Sequence, residues 1–201
     1  MSGAWEGSPA APAAGRESGS WLVLIDLQRI FGEPASEWFT PRFAEAAANA
    51  ARLRSAFGPK VALTRFLAPD KPEGAWIPYY EAWPFALDPA NGALYDRVPQ
   101  FPALDARLID RSTFGKWSAK TRAALDNPRE IVLAGVSTDC CVISTALAAA
   151  DDGVRVRVVA DACAGLSDAD HRRALDVMAL YTPLISITSV DDILAERAAV
   201  R

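Results

Sequence analysis

Three side chains in this sequence stand where apolar runs end, and together they are equipped for acyl chemistry. Asp26 closes the run Trp21-Leu22-Val23-Leu24-Ile25. Cys141 comes after Ile131-Val132-Leu133-Ala134 and the segment Gly135-Val136-Ser137-Thr138-Asp139-Cys140, and a small-residue helical run, residues 143–150, leads away from it. A thiol in the first turn after a strand lies among the unpaired N–H groups of a helix start, whose partial positive charge favours a thiolate. Arg111 follows a third, shorter segment, and Lys116 lies five residues further on. Each residue has a plainer reading alone: Asp26 as a turn cap, Lys116 as a solvated lysine, Cys141 as a small residue packing helix onto sheet. An acid, a cation and a thiol at three strand ends favour chemistry, because parallel α/β sheets bind ligands beyond the carboxyl ends of their strands.

The elements that must position these groups alternate. Strands are expected at residues 21–26, 60–66, 106–110, 130–134, 154–160 and 184–187, where short apolar runs fit strands buried on both faces. Helices are expected at 39–57, 118–125, 139–152, 168–180 and 190–198. Repeated βα units predict a three-layer, Rossmann-like α/β fold with a parallel six-stranded sheet flanked by helices. Residues 67–102 break the rhythm with seven prolines and seven aromatics, which predicts a long loop serving as a substrate-covering wall or an oligomer contact. Residues 1–19 read as a disordered tail without a secretory signal, and residues 20–201 as a single domain.

Composition narrows the function. The 201 residues are 51% hydrophobic and 23% charged, as in ordinary globular chains. A net charge of −4, with no basic run interleaved with aromatics, argues against nucleic acid or an anionic membrane as partner. No apolar stretch approaches the ~20 residues that span a bilayer. Three cysteines, two of them adjacent, make no disulfide framework, and a cytoplasmic location fits best. Asp26-Leu27-Gln28-Arg29 after the first strand offers no glycine-rich loop for a dinucleotide.

Between residues 22 and 187 the chain resembles the isochorismatase-like cysteine hydrolases. The motifs are Leu24-Ile25-Asp26-Leu27-Gln28, then Gly135-Val136-Ser137-Thr138-Asp139-Cys140-Cys141-Val142 with Thr145-Ala146, then Val158-Val159-Ala160-Asp161-Ala162-Cys163-Ala164. The resemblance implies an Asp–Lys–Cys triad with Asp26 as acid/base and Cys141 as nucleophile. It also implies a cis peptide between Val136 and Ser137 that aims the Ser137 and Cys141 N–H groups as an oxyanion hole. Aligning Phe114 and Trp117 with the family's two aromatics puts Arg111 on the lysine position. Lys116 is the competing cation, and a titratable amine serves proton transfer better than a guanidinium.

The implied reaction is hydrolysis of a C–N bond in a small amide or ureido substrate through a thioester, since family members that cleave vinyl ethers do not need the cysteine. Family nicotinamidases hold a metal through an Asp and two His after the second strand. Residues 64–71 carry no histidine, and the single His171, in a polar helix, reads as a surface residue. Neither a metal nor another cofactor is therefore expected. Arg65 is a candidate anchor for a substrate carboxylate or one half of a surface salt bridge. Trp76 and Tyr80, with Gln28, are candidate substrate contacts; the aromatics Trp76, Tyr79, Tyr80 and Trp83 suit a flat or apolar substrate and equally suit a subunit interface. Family members are commonly dimers or tetramers, which implies a homo-oligomer. The alternatives are an inactive member acting as a small-molecule-binding or scaffold protein, motivated by Arg111, and a redox sensor built on Cys140 and Cys141.

Overall fold

The computed structural model describes residues 19–102 and 106–199, so the expectation of a disordered tail, Gly19 apart, lies outside the described residues. Among them run β1 (Trp21–Ile25), β2 (Val61–Phe66), β3 (Arg107–Arg111), β4 (Glu130–Val136), β5 (Arg155–Ala164) and β6 (Ile185–Thr188). The helices are α1 (Arg29–Gly32), α2 (Phe43–Phe57), α3 (Trp76–Ala82), α4 (Ala119–Ala124), α5 (Ile143–Asp151), α6 (Asp168–Ala179) and α7 (Val190–Ala199). The six strands form one sheet in the order β3-β2-β1-β4-β5-β6, and every pairing is parallel. This is the three-layer α/β architecture that the alternating pattern predicts.

Alternation along the strands divides the interior in two. Leu22 and Leu24 of β1 join Val132 and Ala134 of β4 beneath α2 and α7. Trp21, Val23 and Ile25 join Ile131, Leu133, Val156 and Val158 beneath α5 and α6. Because both faces of the sheet are covered, β1 is buried at all five positions, and its sequence is a continuous apolar run rather than an alternating one. In α2 the buried residues Phe43, Ala46, Ala47, Ala50, Leu53 and Phe57 recur at helical spacing, and Gly58 ends the helix with φ +56.

The chain order reverses on either side of β1 and β4. Their carboxyl ends therefore open a crevice at the switch point, with Asp26 just past one strand and Cys141 just past the other.

Several bounds differ from the sequence reading, and three of the differences bear on the site. Residues 67–102 are not one long loop. They fold into α3 and two 3₁₀ segments, Pro84–Leu87 and Pro89–Tyr95. Pro78 lies in the first turn of α3, and Pro84 and Pro89 open the 3₁₀ segments, all positions where the missing N–H is tolerated. Read along the sequence, the same prolines look like breakers. β5 continues to Ala164, so Asp161 and Cys163 lie within the strand. β3 ends on Arg111 itself.

Candidate active site

Asp26 sits in the left-handed region at φ +48, fully buried. Aspartate tolerates that conformation better than most residues. Thr64 on neighbouring β2 holds it at two points: the Asp26 N–H donates to Thr64 Oγ1 at 3.0 Å, and that hydroxyl donates to Asp26 Oδ1 at 2.6 Å. Oδ2 lies 2.9 Å from Lys116 Nζ, with both side chains wholly excluded from solvent. No well-aligned hydrogen bond reaches Oδ2, so it is the oxygen left to accept a proton.

Lys116 is held as closely. Its Nζ donates to the Thr113 carbonyl at 2.7 Å and stands 4.9 Å from the centre of the Phe66 ring. Its backbone N–H donates to Thr145 Oγ1 at 3.0 Å, and the same hydroxyl donates to the Cys141 carbonyl at 2.6 Å. One buried threonine on α5 thus ties the lysine loop to the turn that carries Cys141. The sequence shows Thr145 only as part of a motif, and nothing in its spacing reveals this bridge.

Arg111 does not enter the crevice. Its guanidinium hydrogen-bonds Ser118 Oγ and, at 3.1 Å, Thr121 Oγ1, where it braces the start of α4. Between the two candidate cations, the ammonium beside Asp26 is that of Lys116.

Cys141 lies in a π-helical turn, Thr138–Val142, between β4 and α5. Such single π turns often mark functional sites. The Val136–Ser137 peptide is cis, and the Ser137 carbonyl accepts from Cys140 N–H at 3.2 Å and from Val142 N–H at 3.0 Å. Cys141 is 3% exposed. Contrary to the expectation of a lowered value, its pKa is well above that of a free thiol. Burial is the largest cause, the adjacent Asp26 carboxylate adds to it, and the Lys116 ammonium pulls the other way without prevailing. At rest the sulfur is a neutral thiol.

The predicted substrate contacts separate. Gln28 is fully buried. Its amide donates to the Phe66 and Tyr95 carbonyls at 2.9 and 2.7 Å and accepts from Phe66 N–H at 2.8 Å, leaving no free hydrogen for a ligand. Arg65 grips Asp110 through two hydrogen bonds, of 2.9 and 2.6 Å, so it is the surface salt bridge rather than a free anchor. Tyr80 is only 2% exposed and belongs to the core, and burial raises its pKa to about 12. Trp76 is half-buried against Phe114, 5.1 Å between ring centres. Tyr79, one of the aromatics expected to suit a flat substrate, is the tyrosine on the side of Cys140 and Cys141, and it packs on Phe114 at 5.7 Å. Along α3 the two tyrosines are adjacent, so only the helix phase, invisible behind Pro78, decides which of them faces the thiol.

Among the described residues no group of three or more His, Cys, Asp and Glu side chains is placed to hold a metal ion, and no helix is long and apolar enough to cross a membrane. His171 is not a surface residue. It is half-buried against the π turn, with Nδ1 2.8 Å from Thr138 Oγ1.

Cys163, on β5 across from Gly135, is a second thiol held protonated, chiefly by burial with Asp161 adding to it against a backbone hydrogen bond at Gly135: its pKa is pushed up from 9.0 to about 12. A group whose folded pKa is raised stabilises the fold below its unfolded value and loses that contribution as pH rises. From about pH 9 upward the unfolded chain has released this proton and the folded chain retains it, so unfolding free energy falls by about 1.4 kcal/mol per pH unit from this thiol. Cys163→Ala is therefore expected to flatten the dependence of the urea midpoint on alkaline pH. An unchanged slope would place the Cys163 titration elsewhere.

The family model described as the isochorismatase domain matches residues 20–190. The isochorismatase domain-containing protein 2 of Xenopus laevis is 37% identical over 84 residues, which are 40% of this chain and 41% of that protein. The protein of the same name from Pongo abelii is 27% identical over 170 residues, 83% of this chain and 71% of that one. Among solved structures, a cysteine hydrolase from Pseudomonas syringae pv. phaseolicola superposes with a TM-score of 0.84 at 15% identity, covering 96% of this chain and 99% of that one. With the matched domain running through both Asp26 and Cys141, the chain belongs to the isochorismatase-like hydrolase family.

Proposed function

We propose that this chain hydrolyses a C–N bond of a small amide or ureido substrate, with Cys141 as nucleophile, Asp26 as acid/base and Lys116 as the cation that steadies both. The observation that carries this reading is the wholly buried Lys116–Asp26 pair, 2.9 Å apart, beside the Cys141 thiol. A buried ion pair is a poor stabiliser of a fold, because desolvation offsets its attraction. Its place beside a thiol at the switch point is better accounted for by chemistry.

The raised thiol pKa sets the order of events. Cys141 enters as a thiol and gives its proton to Asp26 Oδ2 as the sulfur bonds to the substrate carbonyl carbon. The carbonyl electrons move onto oxygen, and the Ser137 and Cys141 N–H groups act as the oxyanion hole. The C–N bond then breaks, nitrogen takes the proton from Asp26, and ammonia or an amine leaves. Water, deprotonated by Asp26, attacks the thioester. The C–S bond breaks and the sulfur is reprotonated, releasing the acid. Lys116 keeps its charge throughout, so the site never holds an uncompensated anion. Tyr79, Phe114 and Trp76 form an aromatic wall suited to a flat or apolar acyl group.

The test is ammonia release from a panel of primary amides and N-carbamoyl compounds, with acid-quenched mass spectrometry to locate an acyl group. Expected are turnover of at least one member, an acyl adduct on Cys141, and a loss of roughly 1,000-fold or more in Cys141→Ala. Turnover that survives Cys141→Ala, or an adduct on another residue, would overturn the assignment.

A further inference from the structure

The turn that carries Cys141 is fastened from outside the triad. Thr138, its first residue, is fully buried, and its carbonyl accepts from Ile143 N–H, which closes the turn around Cys141. Its hydroxyl meets His171 Nδ1 of α6 at 2.8 Å. α6 is pressed against the turn at this point. Asp139 Oδ1 accepts from Leu166 N–H at 3.2 Å, and a Cβ on Gly165 would lie 2.7 Å from that oxygen and 3.0 Å from His171 N. The charged groups around the imidazole are Arg42 from the start of α2, Asp168 and Arg172 from its own helix, and Asp139 from the turn. Burial, with Arg42 adding to it, keeps its pKa below the ordinary histidine value, so the ring is neutral at pH 7 and bonds Thr138 as an uncharged partner.

We propose that His171 is a positioning residue for Cys141, acting through its hydrogen bond to Thr138. The inference rests on the hydrolase reading above, since it concerns how well the thiol is aimed. The His171–Thr138 bond joins a rigid helix to the turn that Cys141 must share with Asp26 on one side and the oxyanion donors on the other. A displacement of about 1 Å at such a site is enough to slow reaction by about two orders of magnitude. The bond fixes the turn without contacting substrate.

p-Nitrophenyl acetate provides a probe that does not depend on the natural substrate. The thiol proton passes to Asp26, sulfur adds to the ester carbonyl, and p-nitrophenolate leaves to give acetyl-Cys141. The burst of p-nitrophenolate gives the acylation rate, and mass spectrometry gives the site. His171→Ala is expected to lower that rate by about tenfold. His171→Asn, whose carboxamide places a polar atom near the Nδ1 position, should remain within about threefold of wild type. Thr138→Val, nearly isosteric but lacking the hydroxyl, should fall with His171→Ala, and it decides the matter if His171→Ala fails to fold. Wild-type rates in both His171→Ala and Thr138→Val would overturn the inference and leave the hydrolase reading intact. An equal loss in His171→Asn would assign the histidine to packing and overturn it as well. A wild-type protein that is not acylated on Cys141 would overturn the hydrolase reading, and this inference with it.

Discussion

Asp26→Asn is expected to make Cys141 easier to ionise and the protein unable to turn over. The two effects point in opposite directions because Asp26 does two things to the thiol. Its charge and hydrogen bonding hold the proton on sulfur, and only the Lys116 ammonium opposes them. Asn removes the charge and leaves the ammonium, so the thiolate gains a partner where it had a competitor. Iodoacetamide labelling of Cys141 should then follow a pH profile shifted downward from that of the wild type, which is expected to rise only at alkaline pH. Hydrolysis should fall by a factor of about 10²–10⁴, the usual consequence of losing a general acid/base, because no group remains to protonate the leaving nitrogen or to activate water. Stability should drop as well. Removing one partner of a buried ion pair costs about 3–5 kcal/mol, lessened here as the Cys141 thiolate takes over as counter-ion and the Thr113 carbonyl keeps its bond to Nζ. Replacing Lys116 by Met in the same protein should restore part of the stability and return labelling to alkaline pH. Unshifted labelling with retained turnover in Asp26→Asn would mean that Asp26 is not the group that controls the sulfur.

The legible parts of this molecule were those fixed by short-range pattern. β1, β2 and β4 are near-continuous apolar runs because both faces of a central parallel strand are covered, and that pattern needs no tertiary context to read. Asp26 is legible for the same reason, since it follows directly from a strand end, and Cys141 is legible from the small-residue helical run that follows it. Lys116 was harder. It lies past the end of β3 and reaches Asp26 only because residues 112–115 turn back and Thr145 fixes its backbone. Counting along the sequence puts Arg111 first. The thiol pKa runs against the expectation from a helix start because burial, which local sequence does not encode, is its largest cause. Gln28 and His171 depart from the sequence reading on similar grounds. A glutamine two residues after Asp26 looks like a ligand contact, yet its amide is engaged by backbone at Phe66 and Tyr95. A histidine in a polar helix looks solvated, yet its face is turned to Thr138. Side-chain partners separated by 30 or more residues are set by the packing of whole elements, which local pattern does not encode.

Gly135 joins the two halves of the site, and Gly135→Ala is the substitution expected to do most damage to the fold. The residue is the register partner of Ile25, one position before Asp26, and it adopts φ +121, a region that side chains rarely enter. A Cβ there would lie 2.1 Å from the Ile25 carbonyl oxygen, 2.7 Å from its nitrogen and 2.9 Å from its carbonyl carbon. All three are backbone atoms of a strand buried on both faces, so none can swing aside as a flexible side chain would. Relief requires β1 and β4 to part by about an ångström at the point where Asp26 and Cys141 leave them. The expected loss of stability exceeds about 4 kcal/mol, and in any folded fraction Cys141 acylation by p-nitrophenyl acetate should fall by about a hundredfold. Gly153→Ala provides the comparison. Gly153 also has a positive φ, at +77, but nothing lies within 4 Å of its added Cβ, so only conformational strain of about 1 kcal/mol is expected and acylation should be unchanged. Urea denaturation and burst kinetics on the two variants separate the explanations. Equal, small losses would reduce Gly135 to one more glycine required by its φ. A large loss confined to Gly135→Ala would establish that the contact between β1 and β4 at this residue is what holds acid and thiol in one crevice.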